Sequence, residues 1–219
     1  MKKIKVLVEG QTEIIFTNGI LKPYFNEKYL SFKSVLLQEG GGIPKYSKAR
    51  KEILKALRSD GSCFYTTMID YYGMPHDWPG KVESQSFNNY KDKAQKIEQE
   101  LVEDIVSHMG VSWNPAHFIP YVQMHEFEAL LFSNISALAG SDSRITGQLE
   151  IILKSFSCPE EINDNYDTCP SRRIKHIIES YNKRVDGIVA AQKIGLKQMR
   201  EKCPHFNEWI GKLEWIGEQ

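Results

Sequence analysis

Three short runs rich in strand-forming residues, KIKVLV (3–8), FKSVLLQ (32–38) and CFYTTMI (63–69), alternate with stretches of helical periodicity. That alternation is the strongest constraint on the fold. Strands joined through helices pair in parallel, so the pattern predicts a mainly parallel α/β sheet. A first helix is expected over 11–24, with Gln11 or Thr12 near its start and Ile14, Ile15, Ile20 and Leu21 as its apolar face. A Gly40–Gly42 loop precedes a basic amphipathic helix over 45–58, with Ile53, Leu54 and Leu57 inward. A long helix is expected over 90–109, with Ile97, Leu101, Ile105 and Val106 on one side. A fourth strand over 117–122 contains Pro120, which cannot donate to a ladder and so marks an edge or a bulge. HEFEALLF (125–132) starts a helix, and further helices are expected over 143–156, 171–181, 187–200 and 204–216. The reading is one domain over 1–219: an α/β core over 1–132, with a helical elaboration over 133–219.

Hydrophobic residues make up 41% of the chain, enough for a proper core. Acidic and basic residues balance at 28 each, which neither favours nor excludes a polyanionic partner, because local fields matter more. Their distribution is uneven. Residues 121–170 hold eight acidic and two basic side chains, and residues 171–202 hold nine basic and three acidic. Solvated helix faces would account for this, and so would an acidic site facing a basic surface that guides a polyanion. The four cysteines show no CxxC pairing, as expected of reduced thiols in a cytoplasmic protein rather than a zinc site. The apolar run in MKKIKVLVEG is too short for a signal peptide, and no later stretch reaches membrane length. No membrane association is expected.

The predicted strands end on acids. Glu9 closes the first, Asp70 the third, and Glu126 and Glu128 follow the fourth. Glu13 lies about one helical turn beyond Glu9 and can point back to the same edge. Sites in open α/β sheets lie outside the carboxyl ends of the strands. Five carboxylates converging there would repel one another unless a cation intervened. Mg2+ or Mn2+, which take oxygen ligands, would relieve that repulsion and could serve phosphodiester cleavage. Each acid also has a plainer role: Glu13 and Glu126 as residues favoured at helix N-termini, Asp70 as a turn former, and Glu128 facing inward only if its helix has the right phase. Glu9 is the hardest to explain structurally, since it interrupts the end of a strand that should be buried.

VEGQTE (8–13) resembles the first-strand motif of TOPRIM-type domains, in which a glutamate ends the strand and a later strand ends in Asp-x-Asp. The whole chain resembles a bacterial family of unknown function with a TOPRIM-like fold, related to the nuclease domain of OLD-family proteins. The resemblance rests on VEGQTE, MIDYYGMP (68–75), HEFEALLF, PSRRI (170–174), YNKRVDG (181–187) and CPHFNEW (203–209). It implies a Mg2+- or Mn2+-dependent nuclease, with DNA rather than RNA the expected nucleic acid. Glu9, Glu13 and Asp70 would be catalytic, and Glu9, Asp70, Glu126 and Glu128 would be metal ligands. It also implies a partner ATPase of the ABC or SMC type, in phage defence or DNA processing, and leaves room for a homo-oligomer. The chain departs from the pattern at Tyr72, where the second aspartate would stand. Glu126 and Glu128 could replace that ligand, Asp77 could, or one metal position is lost.

Arg172, Arg173, Lys183 and Arg184 are candidates to hold phosphate, or else form a solvated helical face. Tyr71, Tyr72 and Trp78 could stack on bases or pack the 70–80 loop. Phe206, Trp209, Leu213 and Trp215 are expected in the core; exposed together, they would instead form a docking surface on an ATPase for a non-catalytic regulatory subunit. HEFEA is not the HExxH of zinc proteases, GGGIPK lacks the Gly-Lys-Ser/Thr of a P-loop, and no GxSxG elbow occurs.

Overall fold

The computed structural model describes residues 1–163 and 165–218. Five strands, β1 (Lys2–Val8), β2 (Leu30–Leu36), β3 (Cys63–Asp70), β4 (Phe118–Ile119) and β5 (Val122–Gln123), form a parallel sheet in the order β2-β1-β3-β4, with β5 also paired to β3. β1 alternates: Ile4, Val6 and Val8 pack into one apolar layer, and Leu7 into the other. That period of two is why this run is a strand with helices on both faces.

One face is covered by α1 (Gln11–Phe16) and α2 (Lys22–Glu27), joined through a widened turn at Thr17–Leu21. The other carries α3 (Tyr46–Ser59), a short α4 (Lys81–Ser84) and α5 (Tyr90–Met109). The remaining helices are α6 (Ile135–Ala139), α7 (Ser143–Leu153), α8 (Pro170–Ile177), α9 (Ile188–Lys202) and α10 (Pro204–Glu218). They are not a separate layer, because α9 and α10 share the α1/α2 core. Trp209 stacks on Tyr121 at 4.3 Å and donates its indole N–H to Thr66 Oγ1 at 2.8 Å. No helix among the described residues is long and apolar enough to cross a membrane.

The mainly parallel α/β architecture is as expected, with local differences. The fourth strand is split at Pro120 into β4 and β5, both beside β3 at the sheet edge. The 11–24 helix is interrupted, and its phase turns Glu13, Phe16 and Leu21 inward while Ile15 faces solvent. Residues Phe127–Ser133 form a tight 3₁₀ helix buried along its whole length, where an α-helix over 125–132 was expected. Tyr71 and Trp78 are core residues, leaving only Tyr72 accessible of the three loop aromatics. Phe206, Trp209 and Leu213 are buried and Trp215 alone is exposed, so these four make no joint apolar surface.

Candidate functional site

The register of the sheet builds the site. Val8 aligns with Met68, so β1 ends two residues before β3 does, and Asp70 pairs onward with Gln123 of β5. Glu9 is thereby released at the carboxyl edge beside Asp70, whose backbone N–H donates to Glu9 Oε2 at 3.1 Å. β2 and β3 leave β1 on opposite sides, which makes this edge the switch point where α/β sheets open a crevice.

Gly10 then turns the chain into α1, and Glu13 folds back over it. A Cβ on Gly10 would lie 2.9 Å from Glu13 Oε2. On the far side the ladder continues past β3. Tyr71 N–H donates to Gln123 O at 2.9 Å, and Tyr72 N–H to His125 O at 2.8 Å. This holds the 124–128 segment, including its cis Met124–His125 peptide, against the sheet, and Glu128 enters the site from the buried 3₁₀ helix.

One oxygen each from Glu9, Glu13 and Asp70 lie within 4.8 Å of one another. Lys183 reaches into the group from the single wide turn Lys183–Gly187. Its Nζ lies 3.5 Å from Glu13 Oε1, 3.5 Å from Asp70 Oδ2 and 3.2 Å from Glu128 Oε2. Even so, Asp70 Oδ1 and Glu128 Oε1 are buried without a hydrogen-bond donor among the described residues, and Glu13 Oε1 and Glu128 Oε2 have only the Lys183 ammonium nearby. Four carboxylates therefore share one ammonium.

The titration behaviour follows from that imbalance. Burial, then the Glu13 carboxylate, pushes Glu9 up to about 7. Burial, then Glu9, holds Asp70 well above the ordinary aspartate range, and burial also raises Glu128. For Lys183 burial opposes the charge, but the surrounding acids outweigh it and keep the ammonium protonated well above its usual value.

The other sequence candidates lie elsewhere. Glu126 faces away from this group: its Oε2 accepts from Ser171 N–H at 2.8 Å and its Oε1 from the Ser171 hydroxyl at 3.0 Å, at the start of α8. It satisfies one free N–H and a hydroxyl at the start of a neighbouring helix. Asp77 accepts from Tyr46 N–H at 2.9 Å and serves the start of α3. Neither occupies the place of the missing second aspartate. Arg173 donates to Thr168 O and to Asn163 Oδ1, holding the loop before α8. Arg172 lies over the Tyr166 ring, and Arg184 is exposed beside Lys183. Lys183, expected to hold phosphate, sits instead among the acids.

Tyr181 was missed by sequence reasoning. Its buried hydroxyl has no hydrogen-bond partner among the described residues, and burial, then the Glu128 charge, raises its pKa. Gly187 makes room for it, since a Cβ there would meet the hydroxyl at 2.7 Å. YNKRVDG contains Tyr181, but the motif does not show that its hydroxyl is buried near Glu128.

The chain belongs to the family described as Domain of unknown function (DUF4276), whose model matches residues 8–214. No curated protein and no solved structure matches it.

Proposed function

We propose that this member of the family is a metal-dependent phosphodiesterase, a nuclease of TOPRIM type related to OLD-family nucleases. One observation carries the reading: Glu9, Glu13 and Asp70 meet within 4.8 Å at the switch-point edge, Glu128 joins them through Lys183, and that single ammonium is the one cation beside the four carboxylates among the described residues. Leaving so many acids buried together is costly, and a hard divalent cation answers that cost. Glu9, Glu13 and Asp70 would hold Mg2+ or Mn2+, with Glu128 completing the set across Lys183. Bound there, the metal would supply Lewis-acid polarisation of a phosphoryl oxygen and a more acidic water.

The chain's own residues have distinct work. Glu9 is fixed by the Asp70 N–H. Glu13, whose carboxylate lies over Gly10, is the residue to orient water. Lys183 is placed to turn from the acids toward a phosphate oxygen, a charge-assisted contact of the kind that stabilises developing negative charge. Nucleic acid, with DNA favoured, is the substrate class, and an ABC- or SMC-type ATPase is the proposed partner.

A second reading is a non-catalytic regulatory subunit. Lys183 already supplies a positive charge where the metal would stand, and Tyr72 replaces an expected ligand. Calorimetric titration with Mn2+ and Mg2+ separates the two. The expected result is binding to the native chain that is lost in Glu9→Ala and Asp70→Ala and retained in Glu126→Gln. Absence of binding by the native chain, with and without DNA, would favour the regulatory reading.

A further inference from the structure

We infer that Tyr166, Arg172 and Tyr72 form a stacking platform for an unpaired base of a single-stranded nucleic acid. The inference rests on the phosphodiesterase reading and adds the form of its substrate.

Tyr166 is 60% exposed, yet it is held in place. The Arg172 guanidinium lies 4.4 Å from its ring centroid and donates Nη2–H to its hydroxyl at 2.6 Å. The loop beneath is pinned: Cys169 N–H donates to Asn165 O at 2.8 Å, and Arg173 ties Thr168 to Asn163. An exposed ring that is already ordered loses little entropy on binding.

The Tyr72 backbone is linked to this region from the sheet. Tyr72 stands two residues past Asp70, partly exposed, with its N–H on His125 O. The next residue, Glu126, grips Ser171, and Arg172 follows. This chain of contacts ties the Tyr72 backbone, through His125 and Glu126, to the start of α8, where Arg172 holds Tyr166.

Two accessible rings and a planar cation beside a site for phosphate chemistry fit an unpaired base. Any base offers a π-face for stacking, whereas a base in a duplex has both faces covered. Arg172 adds cation–π attraction and a positive charge toward the backbone.

The test uses the full chain, with Ca2+ in place of Mg2+ so that binding is read apart from turnover. The probe is a short oligodeoxynucleotide carrying 2-aminopurine, whose fluorescence is quenched on stacking. The expected result is quenching for the single strand, weaker binding by its duplex, and loss of affinity in Tyr166→Ala, Tyr72→Ala and Arg172→Ala by about 5- to 150-fold. Tyr166→Phe and Tyr72→Phe should retain binding, because stacking needs the ring. Unchanged affinity and quenching in both tyrosine-to-alanine variants, with native circular dichroism, would overturn the platform. So would duplex binding equal to the single strand without quenching. A hydrolysis assay in Mn2+ keeps the two readings apart. Stacking without cleavage would sink the phosphodiesterase reading and leave the platform. Cleavage with KM unchanged in Tyr166→Ala and Tyr72→Ala would do the reverse.

Discussion

Gly10 is needed for space rather than for an unusual backbone. Its φ of −152° is extended and open to any residue. The obstacle is the Glu13 carboxylate, an ion on a flexible stem, 2.9 Å from where a Cβ would stand. Gly10→Ala should therefore fold with nearly native stability while displacing Glu13. The expected outcome is Mn2+ affinity reduced about tenfold, the loss of roughly one charge-assisted contact, with a thermal midpoint close to that of the native chain. A variant that lost stability but kept full metal affinity would show that Gly10 serves the turn instead. The pairing of Glu9 with Glu13 was legible in VEGQTE. The part of Lys183 was not, since only the closed fold brings residue 183 beside residues 13, 70 and 128.

At the scale of elements, carboxylates also hold helix starts together at long range. Glu126 serves α8, Asp77 serves α3 and Glu160 serves α10, where it accepts from His205 and Phe206 N–H at 2.9 Å each. Glu160 is fully buried and sits near the His205 ring, whose Nε2 lies 2.9 Å from Glu98. Glu98 in turn accepts from Val122 N–H of β5 at 3.0 Å. This network docks α10 onto α5 and the edge of the sheet. Glu160→Ala removes one acid, frees two buried N–H groups and weakens the balance around His205. It should cost on the order of 3 kcal/mol, read as a lower urea midpoint at unchanged slope. A loss below ~0.5 kcal/mol would mean that the network is no stronger than a surface pair. Helix spans were largely legible from periodicity. These caps were not, because each acid lies 30 or more residues from the helix it serves, as with the separation of 31 for Asp77 and Tyr46.

For the whole molecule, buried acids predict an unusual pH profile. Glu9 and Glu160 titrate near 7 in the folded chain, each raised mainly by burial, and Asp70 and Glu128 are raised as well. Between the unfolded carboxylate values and about 7, the native state then binds more protons than the unfolded state. Stability falls as pH rises through that window. His205 has the same sign: burial opposes its charge, but Glu98 raises its pKa, so its contribution is present at low pH and fades as pH rises. Asp60, Asp142 and Glu214 are shifted down, and their contribution is lost only on acidification below that window. In EDTA the thermal midpoint should drop between pH 5 and pH 8. Mn2+ should raise it more at pH 8, where the acids are ionised, than at pH 5. A metal response that was larger at pH 5 would contradict the carboxylate site.

The sequence alone determined the kind of architecture and the edge to search. Alternating strand and helix periods allow few solutions but a parallel sheet, and an acid closing an otherwise apolar strand has to face the sheet's open end. Tertiary structure decided which acids meet. Glu128 joins the site from the first turn of the buried 3₁₀ helix, whereas Glu126 precedes that helix in extended backbone and is held by Ser171. Tyr71 turned inward while Tyr72 stayed at the surface, since the ladder past β3 assigned successive residues to opposite sides. Lys183 met the acids through packing between distant segments, an outcome that no local pattern of residues encodes.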